Sequence, residues 1–170
     1  MKVLILRGLP GSGKTTFVSG LKGVKAICSA DDYHIVNGEY RFDPKNIGNA
    51  HNDCLRKFLR VAQNDSGYPG PEFLIVDNTN TLAWEISPYY RVAECLNLEV
   101  KIVYLHCPFE VACSRNLHQV PYGTIWRMAQ NLMHEQLPPH WKQDILFPEQ
   151  IDTNVLLQAS EKLMRTIREM

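Results

Sequence analysis

Residues 1–15 read Met1-Lys2-Val3-Leu4-Ile5-Leu6-Arg7-Gly8-Leu9-Pro10-Gly11-Ser12-Gly13-Lys14-Thr15. The apolar run Val3–Leu6 is short and continuous, as a strand buried on both faces requires. The eight residues Gly8–Thr15 fit the phosphate-loop pattern G-x-x-x-x-G-K-S/T, in which a strand passes through a glycine-rich turn into a helix. Gly8, Gly11 and Gly13 allow the chain to curl with its N–H groups pointing inward, where any Cβ would intrude. In such a loop Lys14 reaches the β- and γ-phosphates of a nucleoside triphosphate, and the Thr15 hydroxyl ligates Mg²⁺. The helix starting near Lys14 adds its positive end. Gly8, Pro10, Gly11, Ser12, Gly13, Lys14, Thr15 and Thr16 are therefore the expected nucleotide-binding set.

Beyond this loop, strand and helix signals alternate. A helix spans 14–21, and a short strand, Ala26–Ser29, runs into Asp31-Asp32. A helix extends from about Pro44 to Gln63 with apolar residues at helical spacing. After a turn-rich break at 64–71, Phe73–Val76 forms a strand ending in Asp77. Ser87-Pro88 reads as the cap and first turn of a helix to about Leu96. Val100–Leu105 is a further strand. Pro108 opens a short helix toward Asn116, and another helix runs from about Pro121 to Gln136. Residues 141–152 are ambiguous, and a last amphipathic helix occupies about 154–168. Alternation of this kind predicts a mostly parallel sheet covered on both faces. The expectation is one α/β domain over all 170 residues, a three-layer P-loop fold with a helical lid at about 113–125.

Composition narrows the partners. Eighteen basic and eighteen acidic residues leave no net charge, so any nucleic-acid contact is local and short, or the substrate is small. The five cysteines contain no C-x-x-C pair, and most lie in apolar segments, as reduced core thiols do. His106, Cys107, Cys113 and His118 match no common zinc spacing. No leader-like or membrane-spanning run is present, and the expected setting is cytoplasmic. Trp84, Trp126 and Trp141 are expected in the core or at an interface.

The chemistry is expected where strands end. Asp77 stands where the acidic partner of Mg²⁺ belongs, across from Lys14 and Thr15. Phosphoryl transfer to a hydroxyl also needs a carboxylate to orient the acceptor and take its proton. Asp31 is the candidate base, with Asp32 as a turn or helix cap. Arg115 and His118 fall in the lid, where a guanidinium would offset charge growing on the β–γ bridge. In Asn37–Pro44, Tyr40 and Phe42 either stack on a base or pack the loop, and Arg41 can bind a phosphate.

The strings GLPGSGKTT, SADDY, GEYRFDP, IVDNTNT and SRNLHQVP, in this order, resemble the polynucleotide kinase-like P-loop family. That family includes phage and bacterial 5′-hydroxyl polynucleotide kinases and predicted kinases of similar size; the resemblance covers about residues 1–136. It implies ATP and Mg²⁺ as cofactors and the 5′-OH of a short nucleic-acid end as acceptor. Asp31 would then be the general base, Lys14 and Thr15 the phosphate and magnesium residues, Asp77 the strand-end acid, and Arg115 a lid arginine on the donor phosphates. The chain departs from the family twice. His34 replaces the arginine that holds the acceptor's phosphate, and Gln119 replaces a second lid arginine. Near neutrality an imidazole grips phosphate more weakly than a guanidinium, so that task rests on His34 or has moved to Arg41. A kinase of a metabolite, nucleoside or antibiotic is the alternative, followed by an ATP-gated binding module.

Overall fold

A computed structural model describes residues 1–64, 72–117, 119–147 and Arg165. Its frame is a five-stranded, wholly parallel sheet in the order β2-β5-β1-β6-β7, with β1 at Lys2–Arg7, β2 at Val24–Cys28, β5 at Phe73–Val76, β6 at Glu99–Leu105 and β7 at Gln143–Leu146. β1 lies at the centre, with Ile5 opposite Val76 of β5 on one side and Ile102 of β6 on the other. The strand that carries the phosphate loop is thus the most enclosed.

Successive side chains of a strand point to opposite faces, and β1 shows this directly. Val3 and Ile5 join one core cluster and Leu4 and Leu6 another. The first cluster is closed by α2 (Ile47–Gln63) and α3 (Ala83–Cys95). Ala50, Cys54, Phe58 and Ala62 recur every fourth residue on α2 and are all buried. The second cluster packs Phe17 and Val18 of α1 (Lys14–Ser19) with Leu21. A third cluster, with Leu9, Ala112, Ile125 and Leu132, lies under α4 (Phe109–Ser114) and α5 (Tyr122–His134). Burying one such Phe or Leu contributes about 1.5–3 kcal/mol, so both faces of β1 are firmly held.

Several expectations shift. The third helix begins at Ala83, and Pro88 lies inside it. The start at Ala83 follows from Glu85, whose carboxylate accepts from the Leu82 amide at 2.8 Å and from the Thr81 hydroxyl at 3.1 Å. Trp84, whose carbonyl Pro88 cannot serve, is 70% exposed, so water can take that role. The ambiguous stretch after 141 contains β7. Trp141 is buried and stacks on Tyr90 with ring centroids 4.6 Å apart. Trp84 and Trp126 are exposed among the described residues and are not core. All five cysteines are free, with Cys28, Cys54 and Cys107 buried. Of the helix expected at 154–168 only Arg165, helical and exposed, is described. No described helix is long and apolar enough to cross a membrane.

A hairpin absent from the sequence reading follows β2. β3 (Ile35–Val36) and β4 (Glu39–Tyr40) pair antiparallel. Asn37 and Gly38 form its turn with φ of 55° and 82°, the left-handed pair that a tight hairpin turn demands.

Candidate phosphoryl-transfer site

The glycine loop takes the form its composition requires. Gly8, Gly11 and Gly13 have φ of 150°, 78° and 89°. A Cβ on Gly11 would lie 2.6 Å from the Ala112 carbonyl oxygen and 3.2 Å from Arg115 Cβ. The loop therefore fits only without that side chain, pressed against the end of α4. Lys14 folds back over the loop, its ammonium donating to the carbonyls of Gly8 (3.1 Å) and Leu9 (2.8 Å). Ser12 is fully buried, and its Oγ has no hydrogen-bond partner among the described residues. A buried polar atom left unsatisfied is costly, and beside a glycine cradle it suits a phosphate oxygen. Pro10 and Thr16 are half-buried around the loop, and Thr15 is exposed at its mouth.

Asp77 leaves the end of β5, the strand paired with β1. Its Oδ2 accepts from the Thr15 hydroxyl at 3.4 Å. The residues present fit a magnesium ion: a hydroxyl and a carboxylate, both hard oxygen donors, side by side at the phosphate loop. Mg²⁺ bound there would supply charge neutralisation on the phosphates.

Asp31 reaches the same rim from the 3₁₀ turn Ala30–His34 beyond β2. Two residues set that turn's distance from Asp77. The Ser29 hydroxyl donates to the Asp77 carbonyl at 3.0 Å and accepts from the Asp31 amide at 3.3 Å. The Ala30 amide donates to Asn78 Oδ1 at 2.9 Å. Asp32 pairs with Lys57 of α2 at 2.8 Å, so it ties the turn to a helix, while the cap belongs to Ser29.

The site's electrostatics couple these groups. Burial pushes the Lys14 ammonium below the usual lysine range, an effect opposed first by the charge of Asp77 and then by that of Asp31. Burial raises the Asp77 carboxyl above the usual carboxylate range, and the charges of Asp31 and Asp32 add to this, against Lys14 and the Thr15 bond. One cation among carboxylates in a partly desolvated rim is an arrangement typical of functional sites.

The other sequence candidates are placed differently. Arg115 follows α4, half-buried beside Gly11; His118 lies outside the described residues. Gln119 is exposed with φ of 52°, in a loop closed by Asn116, which exchanges hydrogen bonds with Val120 at 2.7 and 2.9 Å. His34 is only 5% exposed. Its ring packs against Tyr33, Tyr40 and Phe42 with centroids 5.8, 6.0 and 5.0 Å away, so it fills the hairpin instead of facing the rim. Arg41 is exposed and paired with Glu39 at 2.7 Å.

Asn78 and Asn80, just beyond Asp77, each hold part of the site together. Asn78 holds the Asp31 turn, as described above. Asn80 donates to the Leu6 carbonyl at 2.6 Å. Buried Arg7 donates to the carbonyls of Asn80 (3.1 Å) and Thr81 (3.0 Å) and to Gln143 (3.2 Å). Nothing in one sequence marks these bonds, although the string DNTN contains Asn78 and Asn80.

The loop, the strand-end carboxylate and the parallel order define a P-loop kinase fold. The chain belongs to the family described as "AAA domain" (AAA_33), whose model matches residues 3–132. It is 36% identical over 139 residues to human NEDD4-binding protein 2, a match covering 76% of this chain and 7% of that protein's length. Among solved structures, an unliganded sugar kinase from Janibacter sp. aligns at a TM-score of 0.62 and 18% identity, covering 97% of this chain and 95% of that one. The Mycobacterium tuberculosis APS kinase, in complex with AMPPNP and APS, aligns at 0.60 and 17%, covering 98% and 97%. At such identities these two likenesses bear on the fold.

Proposed function

We propose that this domain is an ATP- and Mg²⁺-dependent phosphotransferase whose acceptor is the 5′-hydroxyl of an oligonucleotide. The observation that carries this reading is the convergence of Lys14, Thr15, Asp77 and Asp31 on one rim, with Asp31 tied to Asp77 through Ser29. Gly8–Thr16 hold the triphosphate, Thr15 and Asp77 hold the metal, and Lys14 with Arg115 stabilises charge on the phosphates. Asp31 accepts the acceptor's proton as the acceptor oxygen bonds to the γ-phosphorus. The bond to the β–γ bridging oxygen breaks, and its electron pair leaves with ADP. ATP hydrolysis alone needs no carboxylate to bind an acceptor, so Asp31 in that role favours transfer over an ATP-gated module.

A small-molecule hydroxyl is the second reading. It is favoured by the two candidate grips for an acceptor phosphate, since His34 is enclosed and Arg41 is engaged by Glu39. Solved structures of similar fold include a sugar kinase and an APS kinase, which is in keeping with this reading.

Incubation with γ-labelled ATP, Mg²⁺ and 5′-OH RNA or DNA oligonucleotides separates the two. Label on the 5′ end, weakened by salt as phosphate contacts are, is the expected result. Label on a metabolite with none on either strand would overturn the nucleic-acid acceptor and keep the kinase.

A further inference from the structure

Asp31 Oδ1 accepts a hydrogen bond from the Tyr40 hydroxyl at 3.1 Å. The donor stands at the end of β4, and the hairpin carrying it is built to hold that hydroxyl in place. Its Asn37-Gly38 turn sets the register, with Ile35 opposite Tyr40 and Val36 opposite Glu39. The Arg41 amide donates to the His34 carbonyl at 2.7 Å, which binds the outgoing strand back to the turn that carries Asp31. The enclosed His34 ring lies between Tyr33, Tyr40 and Phe42. Tyr40 is itself 36% exposed, so a purely packing role would leave much of its ring unused. Burial, then the charge of Asp31 and the hydrogen bond to it, push the phenol up to about 12. The hydroxyl is therefore protonated near neutrality and acts as a donor.

A general base works when one oxygen is aimed at the hydroxyl it serves. An exposed aspartate on a short turn has two χ angles to lose before it can do so. We infer that Tyr40 is a positioning residue for Asp31, holding Oδ1 so that Oδ2 is left to accept the acceptor's proton. The inference rests on the reading of Asp31 as base. It also gives His34 a purpose different from gripping phosphate: its ring supports Tyr40 from behind.

The test compares wild type, Tyr40→Phe, Asp31→Asn and the double variant with γ-labelled ATP and a 5′-OH oligonucleotide. Tyr40→Phe keeps the ring that packs on His34 and removes only the donor. Its kcat should fall by about 10-fold or more, the usual scale for a bond to a charged group, with the KM for ATP unchanged. In the Asp31→Asn background the same change should have no further effect. A second readout avoids changing Tyr40: with ¹³Cζ-labelled tyrosine, the Tyr40 phenol should titrate at lower pH in Asp31→Asn than in wild type. Wild-type kcat in Tyr40→Phe, losses that multiply in the double variant, or an unmoved phenol would overturn the positioning role alone. A wild-type protein that labels no hydroxyl acceptor would overturn the base assignment and this inference with it.

Discussion

The phosphate loop hangs from the central strand of a five-stranded sheet, whereas the β3–β4 hairpin hangs from a 3₁₀ turn beyond the sheet's edge strand β2. The loop is stiffened on every side, by β5 and β6 flanking β1, by Phe17 beneath, and by α4 pressed against Gly11. Only two residues on each strand form the hairpin's ladder, and its exposed apolar residues include Ile35, Val36 and Phe42. The parts that would bind the invariant triphosphate thus sit on the best-supported backbone. Those that would face the acceptor sit on a small outlying element, which can vary without disturbing the sheet. That division explains how one fold serves kinases of unlike substrates.

The comparison breaks first at Asp31, where the two regions meet. Asp31→Asn should lower transfer by about 10²–10⁴-fold while ATP binding, measured by calorimetry, persists. Parallel loss of ATP binding would mean that the carboxylate belongs to the donor side. Lys14→Met should come next, at about 10²–10³-fold in transfer and with weakened ATP binding.

Lys14 also predicts a pH dependence. Its folded-state value is depressed by burial, so the unfolded chain binds more protons between that value and about 10.4, the ordinary value. Stability of the nucleotide-free protein contributed by this group therefore rises with pH across the window. ATP affinity should fall there, because the ammonium is the form that pairs with phosphate. Calorimetry in buffers of different ionisation enthalpy should record proton uptake on binding, and Lys14→Met should abolish it.

Two glycines sharpen the contrast with smaller effects. Gly11 and Gly38 have nearly equal φ, 78° and 82°, but a Cβ would strike the Ala112 carbonyl at Gly11 and meet nothing within 4 Å at Gly38. Gly38→Ala should cost about 1–2 kcal/mol, the left-handed penalty alone, and affect acceptor KM more than ATP KM. Gly11→Ala should lower Tm by more than Gly38→Ala and weaken ATP binding. Equal thermal shifts in the two variants would show that the loop is less tightly enclosed than its contacts imply.

The donor side was legible in the sequence because its constraints are local. An apolar run, glycines that must take left-handed angles, and a strand ending in Asp77 are all visible in consecutive residues. The acceptor side was less legible because its bonds join distant segments, such as Ala30 to Asn78 and Tyr40 to Asp31. One local signal was passed over: Asn37-Gly38 between Ile35-Val36 and Glu39-Tyr40 is a hairpin signature. The family resemblance puts His34 in the place of a phosphate-holding arginine after Asp31-Asp32-Tyr33, yet a 3₁₀ turn sends it inward. Pro88 misled because proline usually opens a helix, while the capping contact of Glu85 with the Leu82 amide starts this one at Ala83.

The central claim, that donor and acceptor meet at Asp31, is tested most directly by a crystal structure with Mg²⁺, a non-hydrolysable ATP analogue and a short 5′-OH oligonucleotide. The predicted result places the 5′ oxygen about 2.6–3.2 Å from an Asp31 carboxylate oxygen and about 3–3.5 Å from the γ-phosphorus. A 5′ end bound away from Asp31, with the analogue seated in the phosphate loop, would contradict it.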